Sequence, residues 1–119
     1  MDVIGEKARE VGRQLAGTDE YRALRRANER IADDRQAVER LNRLQALEEG
    51  FARMMQRGEE PPQDEQDEYE TLVGDIQAMS TYQAVAAAQA NFDRLMMRVQ
   101  EEIAKGIEAG EQSRIILPS

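Results

Sequence analysis

One short stretch, Arg57-Gly58-Glu59-Glu60-Pro61-Pro62-Gln63-Asp64, divides the chain into two segments whose apolar residues repeat at helical spacing. Gly58 suits the left-handed position just past a helix C-terminus, and the two prolines block any continuation of that helix. Asp64 is placed to cap the next helix, with Glu65, Asp67 and Glu68 set against its positive end. Two helices joined by so short and stiff a turn fold back antiparallel. The expectation is a long helical hairpin.

The remaining apolar pattern fills in about five helical segments. From about Asp2 to Ala16, Ile4, Ala8, Val11 and Leu15 share a face, and Gly17 ends the segment. Thr18 is a good cap for a second segment, from Asp19 to about Ala32, with Tyr21, Leu24, Ala27, Asn28 and Ile31 on one face. Near Asp33-Asp34 a bend and a loop are both open, because neither Gly nor Pro forces a break and Asp34 can cap a new helix. The third segment is the clearest: Val38, Leu41, Leu44, Leu47, Phe51, Met54 and Met55 form a seam, and Leu44 to Met54 step three, four, three. It would run roughly 35 Å at 1.5 Å per residue.

Beyond the turn, Tyr69, Leu72, Ile76 and Met79 step in the same way. Ser80 with Gln83 matches a capping box and marks a restart. The last segment carries Val85, Ala88, Phe92, Leu95, Val99, Ile103 and Ile107 down one face, with Gly106 and Gly110 weakening its end. Alternating β-branched runs are missing. The fold class is therefore all-α, an antiparallel helical bundle built on the hairpin. We expect a single helical domain over residues 1–110 and a C-terminal tail over 111–119. The tail, Arg114-Ile115-Ile116-Leu117-Pro118, is apolar without helical context, which suits either disorder or docking on a neighbouring subunit.

With 119 residues, 34% of them charged and only 4% aromatic, the chain can form one modest core. Its net charge of −8 argues against nonspecific binding to nucleic acid or anionic lipid. Cysteine and histidine are both absent. That removes disulfides, common zinc sites, cysteine-held iron–sulfur clusters and Glu-x-x-His di-iron bundles. Glu48-Glu49 and Glu101-Glu102 point in different directions on a helix, and the acidic run from Asp64 to Glu70 lacks the spacing of a calcium loop. Ser80 and Ser113 have no histidine base, and the glycines are scattered singly. No catalytic, cofactor-binding or metal site is expected. The first residues, Met1 to Glu6, lack a signal-peptide pattern, and no stretch is apolar enough to span a membrane. A soluble cytoplasmic protein is expected.

Charge is uneven along the chain. Residues 1–57 hold 12 basic and 11 acidic side chains, whereas residues 58–119 hold 4 and 13. Arg22, Arg25, Arg26 and Arg30 lie along one side of the second segment. The ordinary reading is a solvated face paired with nearby acids. A partner surface for an acidic patch and an RNA-contacting stripe are the sharper alternatives, although the stripe lacks aromatics for stacking. Met54, Met79 and Met96 fall on or near the seams and read as core filler. Met55 and Met97 sit beside them and are the better interface candidates.

Several features then coincide in a fixed order. Asp19-Glu20-Tyr21 and Ala27 come first, followed by a helix ending Met54-Met55-Gln56-Arg57-Gly58-Glu59-Glu60-Pro61. A Leu72–Ile76 helix and a capped restart follow. The order closes with Ala88-Gln89-Ala90-Asn91-Phe92 running through Leu95 and Val99 to Ile103. From about Ile4 to Ile107 this resembles the YlbF/YmcA family, including the YheA-like proteins of Gram-positive bacteria. The resemblance implies a small cytoplasmic helical bundle that forms dimers or higher oligomers. It also implies a non-enzymatic regulator acting with protein partners on RNA processing by an endoribonuclease, and through it on competence, sporulation and biofilm formation. Some members of that family contribute cysteines near the C-terminus to an iron–sulfur cluster. This tail has none, so no cofactor is carried over.

The combined expectation is an all-α regulatory or adaptor protein working by protein–protein contact, as a homodimer or higher homo-oligomer. Its core or subunit interface would use Leu44, Leu47, Phe51, Met54, Leu72, Ile76, Phe92, Leu95 and Val99. Arg22, Arg25, Arg26 and Arg30 would form a partner surface. A nucleic-acid-binding module using those arginines, and a chaperone-like helical hairpin, are the alternatives.

Overall fold

Five helices follow one another in a computed structural model that describes residues 2–116, with side chains through Gln112: α1 (Asp2–Ala16), α2 (Asp19–Ala32), α3 (Arg35–Gln56), α4 (Gln63–Gln77) and α5 (Ser80–Ile116). The protein is all-α.

Each break has a local cause. The Thr18 hydroxyl caps α2 by accepting from the Tyr21 amide at 3.2 Å. The junction near Asp33-Asp34 is a real break, because the Asp34 carboxylate accepts from the Ala37 amide at 3.2 Å and starts α3. Gly58 ends α3 with φ +71. The Glu59 amide donates to the Met54 carbonyl at 2.9 Å and the Gly58 amide to the Met55 carbonyl at 3.1 Å. These two bonds make a Schellman motif, which needs a left-handed residue.

Three local expectations are corrected. Asp64 does not cap α4: Pro62 occupies the cap position, and Asp64 lies in the first turn, where its carboxylate accepts from the Glu65 amide. The Gln66 side chain instead ties the turn down by donating to the Pro61 carbonyl at 2.8 Å. At the α4–α5 restart, Gln83 donates its side-chain amide to the Gln77 carbonyl at 3.0 Å, bridging the two helices. Finally, α5 stays helical through Ile116, past the boundary expected at residue 110. Gly106 and Gly110 cost helix propensity but do not break the ladder. The side chains of the expected tail motif lie outside the described residues.

The helices pair antiparallel in two places. Along α2 and α5, Leu24 and Ala27 pack against Ala88, flanked by Ala23, Ala84, Val85 and Phe92. Alanines let the backbones approach closely, and Tyr21 meets Phe92 edge-on at 5.8 Å. Along α3 and α4, Phe51 and Tyr69 sit 5.7 Å apart, and Arg43 clamps Glu68 through two bonds of 2.6 and 2.7 Å. The breaks between the helix pairs meet each other: Thr81 at the start of α5 donates to Asp34 at 2.8 Å.

The result is a slender body of 70 × 38 × 23 Å. Its radius of gyration is 21.7 Å, against about 13.5 Å for a compact domain of this length. Paired helices with no third layer bury only narrow stripes. Accordingly the buried apolar residues are Leu24, Ala27, Ala37, Leu47, Ile76 and Ala88, three of them alanines.

Candidate interaction surfaces

The 37-residue α5 is far longer than the 14-residue α2 that covers its first half. Arg98 still meets Glu20 at the start of α2, and beyond it α5 has α1 beside it. Val11 on α1 shares a shallow cleft with Val99 and Ile103 on α5. Together α1 and the second half of α5 form a thin arm. Every side chain from Glu101 to Gln112 is exposed. Val3, Ile4, Ile103 and Ile107 are 66%, 68%, 58% and 66% exposed. Large apolar residues at helical spacing are ordinarily covered, and a contiguous exposed set marks an association surface.

The nine residues expected in a core or subunit interface divide by burial. Leu47 and Ile76 are buried, while Leu44, Phe51, Met54, Leu72, Phe92, Leu95 and Val99 are half-buried. Met55 and Met97, read as outer residues, are 76% and 59% exposed.

The arginines of α2 are all exposed, but they do not act as one stripe. Arg25 pairs with Glu29 at 3.2 Å and lines a crevice with Tyr21, Leu24 and Asn28. Arg26 and Arg30 line the opposite flank, beside Ala23, Ala27, Ala84 and Ala88. The packed Leu24–Ala27 stripe runs between the two flanks.

Arg98 on α5 meets Glu20 on α2 at 3.4 Å, and two other contacts between helices shift the groups that make them. The Thr81 hydroxyl and the Ala37 amide hold the Asp34 carboxyl below its usual value. The Arg43 guanidinium likewise holds Glu68 low, and Glu68 raises Arg43. Among the described residues no group of three or more carboxylates is placed to hold a metal ion, and no helix is long and apolar enough to cross a membrane.

A family model described as "Control of competence regulator ComK, YlbF/YmcA" matches residues 4–108, nearly the whole described chain. The protein belongs to the YlbF/YmcA family. Curated relatives within reach are "UPF0342 proteins". One, from Leuconostoc citreum, is 22% identical over 104 residues, covering 87% of this chain and 88% of the relative. Another, from Limosilactobacillus fermentum, is 25% identical over 100 residues, covering 84% and 83%. A solved structure described as a "Protein of Unknown Function (DUF964)" from Bacillus stearothermophilus superposes with a TM-score of 0.64 at 17% identity. The match covers 88% of this chain and 92% of that one, and at this identity it shows a shared fold. The YlbF/YmcA family is named for regulation.

The surface that sequence reasoning missed is the arm. Spacing puts Ile4, Val11, Ile103 and Ile107 on apolar helix faces but says nothing of their exposure. The signal lay in length: the apolar face of α5 runs from Val85 to Ile107, and α2 is too short to cover it.

Proposed function

We propose that this YlbF/YmcA protein is a non-enzymatic regulatory adaptor that acts by protein–protein contact as a self-associated assembly. The observation that carries the reading is the uncovered apolar arm of α1 and the second half of α5. A second copy, packed through the same arm about a two-fold axis, would complete a four-helix bundle and cover Ile4, Val11, Ile103 and Ile107 from both chains. The family's description supports a role in controlling a competence regulator. The resemblance to YlbF/YmcA proteins extends that role to complexes acting on RNA processing, sporulation and biofilm formation in the cytoplasm.

Sedimentation analysis tests the assembly. The wild type should sediment at a multiple of the 13.5 kDa chain. Ile103→Glu and Ile107→Glu, at exposed positions that leave the fold intact, should release monomers with unchanged helicity. A wild type that stays monomeric at tens of micromolar would remove the self-association reading. Affinity capture from the native cytoplasm tests the regulatory part, with RNA-degradation components as the expected partners.

A further inference from the structure

We infer that the tip of the α3–α4 hairpin is a docking cleft for a cationic segment of another protein, one that inserts a large apolar side chain between flanking lysines or arginines. This rests on the adaptor reading and adds the partner's chemistry. It concerns the end of the molecule away from the α1–α5 arm.

The cleft, about 720 Å³, has an apolar lining of Phe51, Met55, Pro61 and Tyr69, with Glu60 and Glu70 at its edge. Its walls are preset. The Schellman bonds at Gly58, the two prolines and the Gln66–Pro61 bond fix the turn. The Phe51–Tyr69 ring pair fixes the two helices at its base. A preformed cleft spares a ligand the entropy cost of ordering it. Met55 is the exception: at 76% exposure it is an unbranched, adaptable side chain held over the opening.

Charge selects the occupant. From Gly58 to Asp93 the chain has nine carboxylates and no lysine or arginine, and seven of the nine fall between Glu59 and Glu70. Arg43 answers Glu68. Glu59, Glu60, Glu65 and Glu70 have no side-chain ion pair among the described residues. An apolar cleft edged by Glu60 and Glu70, with further carboxylates along the same turn and helix, repels acidic segments and steers cationic ones, with an association rate that falls as salt rises.

Fluorescence anisotropy with the full chain tests this. The probe is a short labelled peptide with Leu flanked by Lys and Arg; one control replaces Leu by Ser, and another replaces the basic residues by Glu. The first peptide should bind, each control should bind at least about tenfold more weakly, and affinity should fall several-fold between about 50 and 300 mM salt. Amide resonances of Met55, Glu60 and residues 63–70 should shift. Met55→Ser and the pair Glu60→Lys with Glu70→Lys sit at exposed positions, so they should keep native helicity while weakening binding at least about tenfold. Absent binding, equal binding of the Ser control, or indifference to these variants overturns the proposal. So does a loss of assembly mass in Met55→Ser, which would place a second copy in the cleft. Because the arm variants read self-association separately, failure here leaves the adaptor reading standing.

Discussion

The Asp34 carboxylate joins two helix breaks that lie 47 residues apart: one oxygen accepts the Ala37 amide at 3.2 Å and the other accepts the Thr81 hydroxyl at 2.8 Å. It starts α3 and simultaneously pins the start of α5 against the α2–α3 junction. The antiparallel α2–α5 and α3–α4 pairs therefore share a hinge point held by one side chain.

This bond gives stability a pH dependence. The folded-state pKa of Asp34 lies below the ordinary value, so its contribution is fully present above about pH 4 and is lost as pH falls through the folded value. Asp34→Asn keeps a competent cap but loses the charge. Urea midpoints should show the variant less stable at pH 7 and the gap closing toward pH 3. A constant gap would show that the charge contributes nothing.

Burial ranks the seam residues energetically. Leu47, 4% exposed, should cost about 2–4 kcal/mol on replacement by Ala, measured by denaturant titration. Phe92 is only half-buried, with one face against Tyr21, so Phe92→Ala should cost nearer 2 kcal/mol. Reversed magnitudes would mean that Phe92 is covered in the assembly.

Gly58 should resist substitution for a backbone reason alone. A Cβ there would meet nothing within 4 Å, yet φ is +71. Gly58→Ala should therefore destabilise by about 1 kcal/mol, and Gly58→Asn by less, because Asn tolerates the left-handed region. Thermal unfolding of the pair checks the order.

The α2 arginines should not hold RNA. Arg25 is engaged by Glu29, Arg26 and Arg30 face a different flank, and the whole chain is acidic. Titration with single-stranded RNA should give no saturable binding at about 150 mM salt, and Arg26→Ala with Arg30→Ala should change nothing. Tight binding with a steep salt slope would revive the nucleic-acid reading.

Most helix boundaries were legible in the sequence because they rest on interactions within about four residues. Gly58 followed by prolines, Thr18 before Asp19, and the seam from Leu44 to Met54 each dictate their own local geometry. Asp64 was misplaced for the same reason: two candidate starts lay within two residues, and Pro62 took the cap position with its fixed φ. The candidate interface was legible only as apolar faces.

By itself the sequence determined the helical segments, the fold-back at Gly58 and the absence of histidine and cysteine chemistry. Tertiary structure alone decided that Arg43 would clamp Glu68 and that Asp34 would meet Thr81, pairs 25 and 47 residues apart. It also decided that Leu47 would be buried while Ile103 and Ile107 stayed bare. Periodicity says which face of a helix is apolar. Whether that face is covered depends on which helix lies opposite and how far it reaches, and here α2 ends long before α5 does.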